Sequence, residues 1–193
     1  RLADETVELS RHMDLQALPK ERIFGELEKA LRTEKPSRFF RSLDAAGLLA
    51  VTFPEIARLQ GKTQPVEFHP EGDAYEHTMQ IVDEIAKINP KPVMRFAALV
   101  HDLGKGLTPE EMLPHHYEHD RRGVDVLNEM STRIRLPSDW KKIAAFVISG
   151  HSSVGGHGYD VYCAEVSVLS QAAYFAIRQY LNREVAVENH EHG

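Results

Sequence analysis

The sequence predicts an all-α fold, a globular array of helices, on two observations. Apolar residues recur at three- and four-residue spacing through almost every segment, and no segment alternates apolar and polar residues as a half-buried strand would. Composition agrees. The 193 residues are 42% hydrophobic and 27% charged, enough for one full domain with room for a small second one.

Each element follows from its residues. "ADETVELSRHM" predicts a first helix, with Asp4 as cap and Val7, Leu9 and Met13 apolar. "PKERIFGELEKALRTEK" places Ile23, Leu27, Ala30 and Leu31 on one helical face. In "PSRFFRSLDAAGLLAVTFPEI", Pro36 opens a helix and Gly47 closes it. Residues 60–72, "QGKTQPVEFHPEG", lack periodicity and are expected as a linker or loop. "DAYEHTMQIVDEIAKI" spaces His77, Ile81, Ile85 and Ile88 as a helix does, which puts His77 on or beside the buried face. "KPVMRFAALVHDLGK" is apolar nearly all round, as a central helix would be. "TPEE" reads as a capping box, with Thr108 as N-cap and Glu111 reaching back. "YEHDRRGVDVLNEMSTRI" and "LPSDWKKIAAFVISGH" predict two more helices. "DVYCAEVSVLSQAAYFAIRQYLNREV" predicts a long one, whole or broken.

Several function classes are disfavoured. A net charge of -6 does not suit a general polyanion binder, so any nucleic-acid contact needs a local basic patch. Arg32, Lys35, Arg38 and Arg41 form one such group, or else a solvated charged face. The single Cys163 allows no internal disulfide and fits a reducing, cytoplasmic setting. No apolar run is long enough to span a bilayer, and "RLADETVELS" is not a signal peptide. A chain opening on Arg1 is expected of a piece of a longer protein.

The chemistry-bearing residues are histidines. His77, the adjacent pair His101-Asp102, His119 and His151 recur on successive predicted helices. Imidazole with carboxylate suits a divalent transition metal. Neighbours on a helix point about 100° apart, so a pair at a helix end can grip one ion or bridge two. A metal would also satisfy groups that are costly to bury alone. The competing reading is scattered core and capping histidines, with His101 favourable at a helix C-terminus and Gly104 stopping the helix. Asp73 is a neighbour to the cluster or simply an N-cap.

"HDLGKG", with "YEHT" upstream and "HHYEHDRRG" downstream, resembles the HD-domain superfamily of metal-dependent phosphohydrolases. "DETVELSRHM", "PKERIFGELEKAL", "PSRFFRSLDAAGLLAVTFPEI", "HPEGDAYEHT" and "RFAALVHDLGKGLTP" look like the C-terminal portion of bacterial tRNA nucleotidyltransferases, the CCA-adding enzymes. The likeness runs from about Leu2 to about Ala145. It implies a helical neck and body over 1–60 that helps hold tRNA, an HD-domain core over 61–157, and a C-terminal helical segment over 158–193. The nucleotidyl-transfer head of such enzymes has no counterpart here, so the chain is not expected to add nucleotides by itself.

Carried over, the resemblance makes His77, His101 and Asp102 ligands of a divalent metal (Ni, Mn, Co or Mg), with His151 a further candidate ligand. The implied activity is that of a phosphatase or 2′,3′-cyclic phosphodiesterase acting on a nucleotide or other phosphoester. Lys105 would clamp phosphate, or serve as a C-terminal helix charge. His119 would donate a proton or ligate a second ion. His115, His116 and Arg122 would bind substrate, the two histidines being equally compatible with a solvated surface. HD domains usually add a final Asp from a later helix. After His151, "SSVGGHGYDVYC" departs from that pattern, and Asp160 stands in a loop context. The alternative is therefore a non-catalytic helical tRNA-binding module with a degenerate HD site. An HD hydrolase of signalling nucleotides, unrelated to tRNA, is a third reading.

Overall fold

The computed structural model describes residues 19–67 and 69–151, without the side chains of 150 and 151. The expected helices before residue 19 and after residue 151 lie outside these residues, as does Asp160. Among the described residues, eight α-helical segments follow one another. They are α1 (Lys20–Leu31), α2 (Ser37–Ala45), α3 (Leu49–Thr52), α4 (Pro54–Ala57), α5 (Ala74–Ile88), α6 (Pro92–Val100), α7 (His119–Arg133) and α8 (Ser138–His151). Tight 3-10 turns at Leu103–Leu107 and Glu110–Met112 join α6 to α7. The only β pairing among the described residues is an isolated bridge between Thr63 and Asp73.

Local chemistry explains the boundaries. Pro36 precedes α2, and Gly47 after it adopts φ +73, a left-handed conformation that glycine takes without penalty. Asp73 caps α5: its carboxylate accepts from the backbone N–H of Tyr75 and Glu76, and its second oxygen accepts from Gly61 N–H. The capping box expected at Thr108 does not form. Its hydroxyl meets His116 Nδ1 at 2.8 Å and Arg122 Nη2 at 3.2 Å, and only a 3-10 turn follows. The buried Thr108 is a tertiary hub, and that use outcompetes a local cap.

One core joins the early and late helices. Leu27, Phe40, Phe53 and Ile56 pack in a single cluster with Met79, Phe96, Leu99, Leu127 and Ile148, so the core is continuous across residue 60. Two buried or half-buried arginines brace it. Arg95 donates to the carbonyls of Leu31, Thr33, Ala86 and Asn89, which collects the C-terminal ends of α1 and α5 at one guanidinium. Arg133 on α7 makes a two-point contact with the Glu55 carboxylate and donates to Thr52 O.

Two glycines among the described residues sit where a side chain would clash. A Cβ on Gly104 would stand 1.8 Å from His119 O and 2.6 Å from Gly123 N, and one on Gly123 would meet Ile148 Cγ2 at 2.9 Å. Gly104 therefore does not act as the helix stop its place in the sequence suggests. α6 ends four residues earlier, at Val100. Its role is to let the turn carrying Asp102 lie directly on the first turn of α7.

Candidate metal centre

α5, the end of α6 and the start of α7 converge on Asp102. His77 projects from the buried face of α5, as its spacing predicts, and is 3% exposed. His101 and Asp102 follow the last turn of α6 and are each 1% exposed. The ligand atoms of His77, His101 and Asp102 lie within 4.8 Å of one another. Asp102 Oδ2 is 3.1 Å from His101 Nε2, 3.8 Å from His77 Nε2 and 2.8 Å from Lys105 Nζ. Asp102 Oδ1 is 3.5 Å from His119 Nε2.

The other ring nitrogens explain this orientation. His101 Nδ1 donates to Ala98 O at 2.8 Å, and His119 Nδ1 donates to His116 O at 2.6 Å. A carbonyl can only accept, so both Nδ1 atoms carry the proton. His77 Nδ1 meets Glu71 Oε1 at 2.5 Å. In the neutral ring each Nε2 then bears a lone pair, and all three lone pairs face one carboxylate. Such an arrangement repels unless a proton or cation lies among them. His77 Nε2 has no hydrogen-bond partner among the described residues. The same pattern, with Nδ1–H held by protein oxygen and Nε2 turned inward, is how histidine ligands of divalent metals are oriented. The two-imidazole, one-carboxylate donor set therefore fits a divalent transition metal.

Two groups on the 60–72 stretch join the centre. Expected as a linker or loop, it is an ordered loop, closed by Gln64 N–H to Gly72 O and Ala74 N–H to Lys62 O. It supplies His69 and Glu71, whose ligand atoms lie within 4.8 Å of one another and of His77. Burial first, then the Lys105 charge, pushes His69 down to about 4. Burial, the largest single influence, would raise the Glu71 carboxyl, but the hydrogen bonds from His77, the backbone and His69 together outweigh it and hold Glu71 at about 2. Sequence reasoning missed both residues. The available signal was an imidazole and a carboxylate within eight residues of His77 in "HPEGDAYEH".

The remaining candidates fall into distinct places. Lys105 is 5% exposed; it pairs with Asp102 and donates to Gln64 Oε1 at 2.6 Å. It sits in the last turn of the 3-10 segment Leu103–Leu107 that follows α6. His116 has both ring nitrogens engaged, Nδ1 with Thr108 Oγ1 and Nε2 with Thr63 O, so neither is left for a substrate. His115 is exposed and stacks with Tyr117. Arg122 reaches Thr108 Oγ1, and its buried Nε has no hydrogen-bond partner among the described residues. His151 is the last residue of α8, and its side chain lies outside the description. Of the basic group, Arg32 pairs with Glu28 and Arg41 with Glu76. Lys35 and Arg38 make no ion pair among the described residues, and both line an open cleft of about 1010 Å³ with Lys29 and Lys87.

Known proteins similar to this chain cover most of its length. Residues 2–59 match the family described as "Probable RNA and SrmB- binding site of polymerase A". The "Multifunctional CCA protein" of Thioalkalivibrio sulfidiphilus is 43% identical over 155 residues, which cover 78% of this chain and 38% of that protein. Over most of its length, the chain is a C-terminal region of the CCA-adding enzyme family. Proteins of the same name from Methylobacillus flagellatus and Cupriavidus metallidurans are 43% and 42% identical, each over 79% of the chain and 38% of the relative. The chain thus spans well under half the length of the curated CCA relatives it matches.

A second match overlaps the end of the CCA-type region and extends past it. Residues 131–193 match the family described as "Cysteine protease Prp". "SSVGGHGYDVYC", which departs from the HD pattern, falls inside this match. Among the described residues, no helix is long and apolar enough to cross a membrane.

Proposed function

We propose that the CCA-type region carries an HD-type phosphohydrolase site, in which His77, His101 and Asp102 hold one divalent cation. The observation that carries the reading is the set of inward-facing Nε2 atoms around the buried Asp102. When bound, the ion would polarise a phosphoryl oxygen and lower the pKa of water, which suits phosphate-ester hydrolysis. The protein's own groups do the rest. Glu71, Ala98 O and His116 O fix the three imidazoles. Lys105 neutralises Asp102 in the metal-free centre and would offer its ammonium to a phosphoryl oxygen there. His119, at the start of α7, is placed to hold or give a proton on the Asp102 Oδ1 side. A phosphomonoester or 2′,3′-cyclic phosphodiester at a nucleotide or RNA end is the substrate class, with tRNA the partner through the 1–60 segment and the Lys35–Arg38 cleft.

Hydrolysis of bis(p-nitrophenyl) phosphate and of a 2′,3′-cyclic nucleotide, with added Ni, Mn, Co or Mg, tests this. Turnover should require metal and vanish in Asp102→Ala with the helical spectrum intact. Equal turnover in that variant would remove the hydrolase reading.

The family match over 131–193 favours a second, separate reading. A cysteine protease needs a thiolate nucleophile, and Cys163, the one cysteine of the chain, lies in that stretch. On this reading a thiol-dependent peptidase segment follows the CCA-type region. Peptide cleavage that stops on thiol alkylation and in Cys163→Ala would support it. Cleavage indifferent to both would dismiss it.

A further inference from the structure

The metal reading needs His77 to face the ion through Nε2, and one carboxylate decides whether it does. Glu71 Oε1 lies 2.5 Å from His77 Nδ1 and 3.2 Å from His69 Nδ1, with the Glu71 side chain 9% exposed and both imidazoles 3% exposed. The His69 ring stands edge-on to His77, with centroids 4.8 Å apart and planes at 86°. A loop that lacks helical periodicity has thus buried an imidazole–carboxylate–imidazole row whose inner end is the candidate ligand.

We propose that Glu71 is the positioning carboxylate of this centre, braced by His69, and that it holds His77 in the Nδ1-protonated form with Nε2 turned to Asp102. The proposal rests on the metal reading above. Its physical content is tautomer and orientation. Asn or a hydroxyl at residue 71 would hold the ring less firmly, because a buried carboxylate accepts a stronger, charge-assisted bond. Without any acceptor, Nδ1 and Nε2 compete for the proton, and the form with Nε2–H cannot ligate.

The same three groups suggest a rival arrangement, a second ion held by His69, Glu71 and His77. That ion would need His77 Nδ1 deprotonated, which moves the ring proton to Nε2 and withdraws His77 from Asp102. The two arrangements compete for one imidazole. Positioning by Glu71 therefore predicts one ion per chain.

Calorimetric titration of the metal-free full chain with Mn²⁺ or Ni²⁺ separates these outcomes, with circular dichroism as the check on folding. Wild type should take up one ion. Glu71→Ala should bind it 10- to 100-fold more weakly, on the scale of lost outer-sphere ligand support. Glu71→Gln should fall between, because its amide oxygen still accepts from Nδ1, and it carries the test if Glu71→Ala loses its fold. Undiminished affinity in both variants overturns the proposal. So does a second ion in wild type that Glu71→Ala removes. A wild-type chain that takes up no ion overturns the metal reading itself, and the proposal with it.

Discussion

Asp102 shows how one side chain can organise a site. It is almost fully buried beside three imidazoles and an ammonium, and no such carboxylate survives without compensating positive charge. In metal-free protein Lys105 supplies it. Lys105→Met should therefore destabilise the metal-free chain by about 3 kcal/mol, the cost of stranding a buried partner, as read by urea denaturation. Loss near zero would mean that Asp102 is neutral in the fold. The pH response has a sign that follows from His69 and Glu71. His69 is lowered from 6.5 to about 4, so it stays neutral in the fold while the unfolded chain takes up a proton. Its contribution is full above 6.5 and is lost as pH falls toward 4. Glu71 is lowered from 4.5 to about 2, so its contribution is lost at still lower pH, between those values. The melting temperature of EDTA-treated protein should fall in the first window, and His69→Gln should flatten that fall. A wild-type profile already flat between pH 6.5 and 4 would contradict the burial argument.

At the scale of elements, the site is a matter of close approach and caps. Gly104 lets the Asp102 turn touch α7, which is what brings His119 within 3.5 Å of Asp102. Gly104→Ala should cost about 3 kcal/mol through overpacking and weaken metal binding through displacement of α7. An alanine variant of wild-type stability would show that the two backbones can part freely. Asp73→Ala should cost about 1 kcal/mol as a lost N-cap of α5 while leaving metal affinity unchanged. A large loss of affinity would instead make Asp73 part of the centre. These elements also mark what could be read from sequence. His77, His101 and Asp102 were legible because helical period placed the first on a buried face and the others at a helix end. His69 and Glu71 were not, because their loop has no period and only tertiary folding turns it back onto α5. The "TPEE" pattern misled for the opposite reason. Its local cap was available, but the Thr108 hydroxyl gained two tertiary partners.

At the scale of the whole molecule, the described residues form one helical array whose core runs from α1 to α8. The all-α class was legible because apolar periodicity persists through nearly all the described chain. The order of packing was not, since no local signal tells Phe40 or Phe53 to meet Phe96. The same continuity couples the RNA-family segment to the centre mechanically. Arg95 gathers the ends of α1 and α5, so Arg95→Leu should destabilise the entire array by about 3 kcal/mol in a single cooperative transition. Two separate transitions would show that the segments fold apart. With a net charge of -6, the tRNA contact proposed above must use a local basic patch. Lys35→Glu with Arg38→Glu should weaken tRNA binding and flatten its salt dependence, and an unchanged salt slope would move the RNA contact elsewhere.

The central claim is that His77, His101 and Asp102 share one cation. Anomalous diffraction at the metal edge, from crystals of the full chain grown with Mn²⁺ or Ni²⁺, tests it most directly. A single peak in coordinating contact with both Nε2 atoms and the Asp102 carboxylate is the predicted result. A map without that peak, or with its only peak on the His69–Glu71 side, would contradict it.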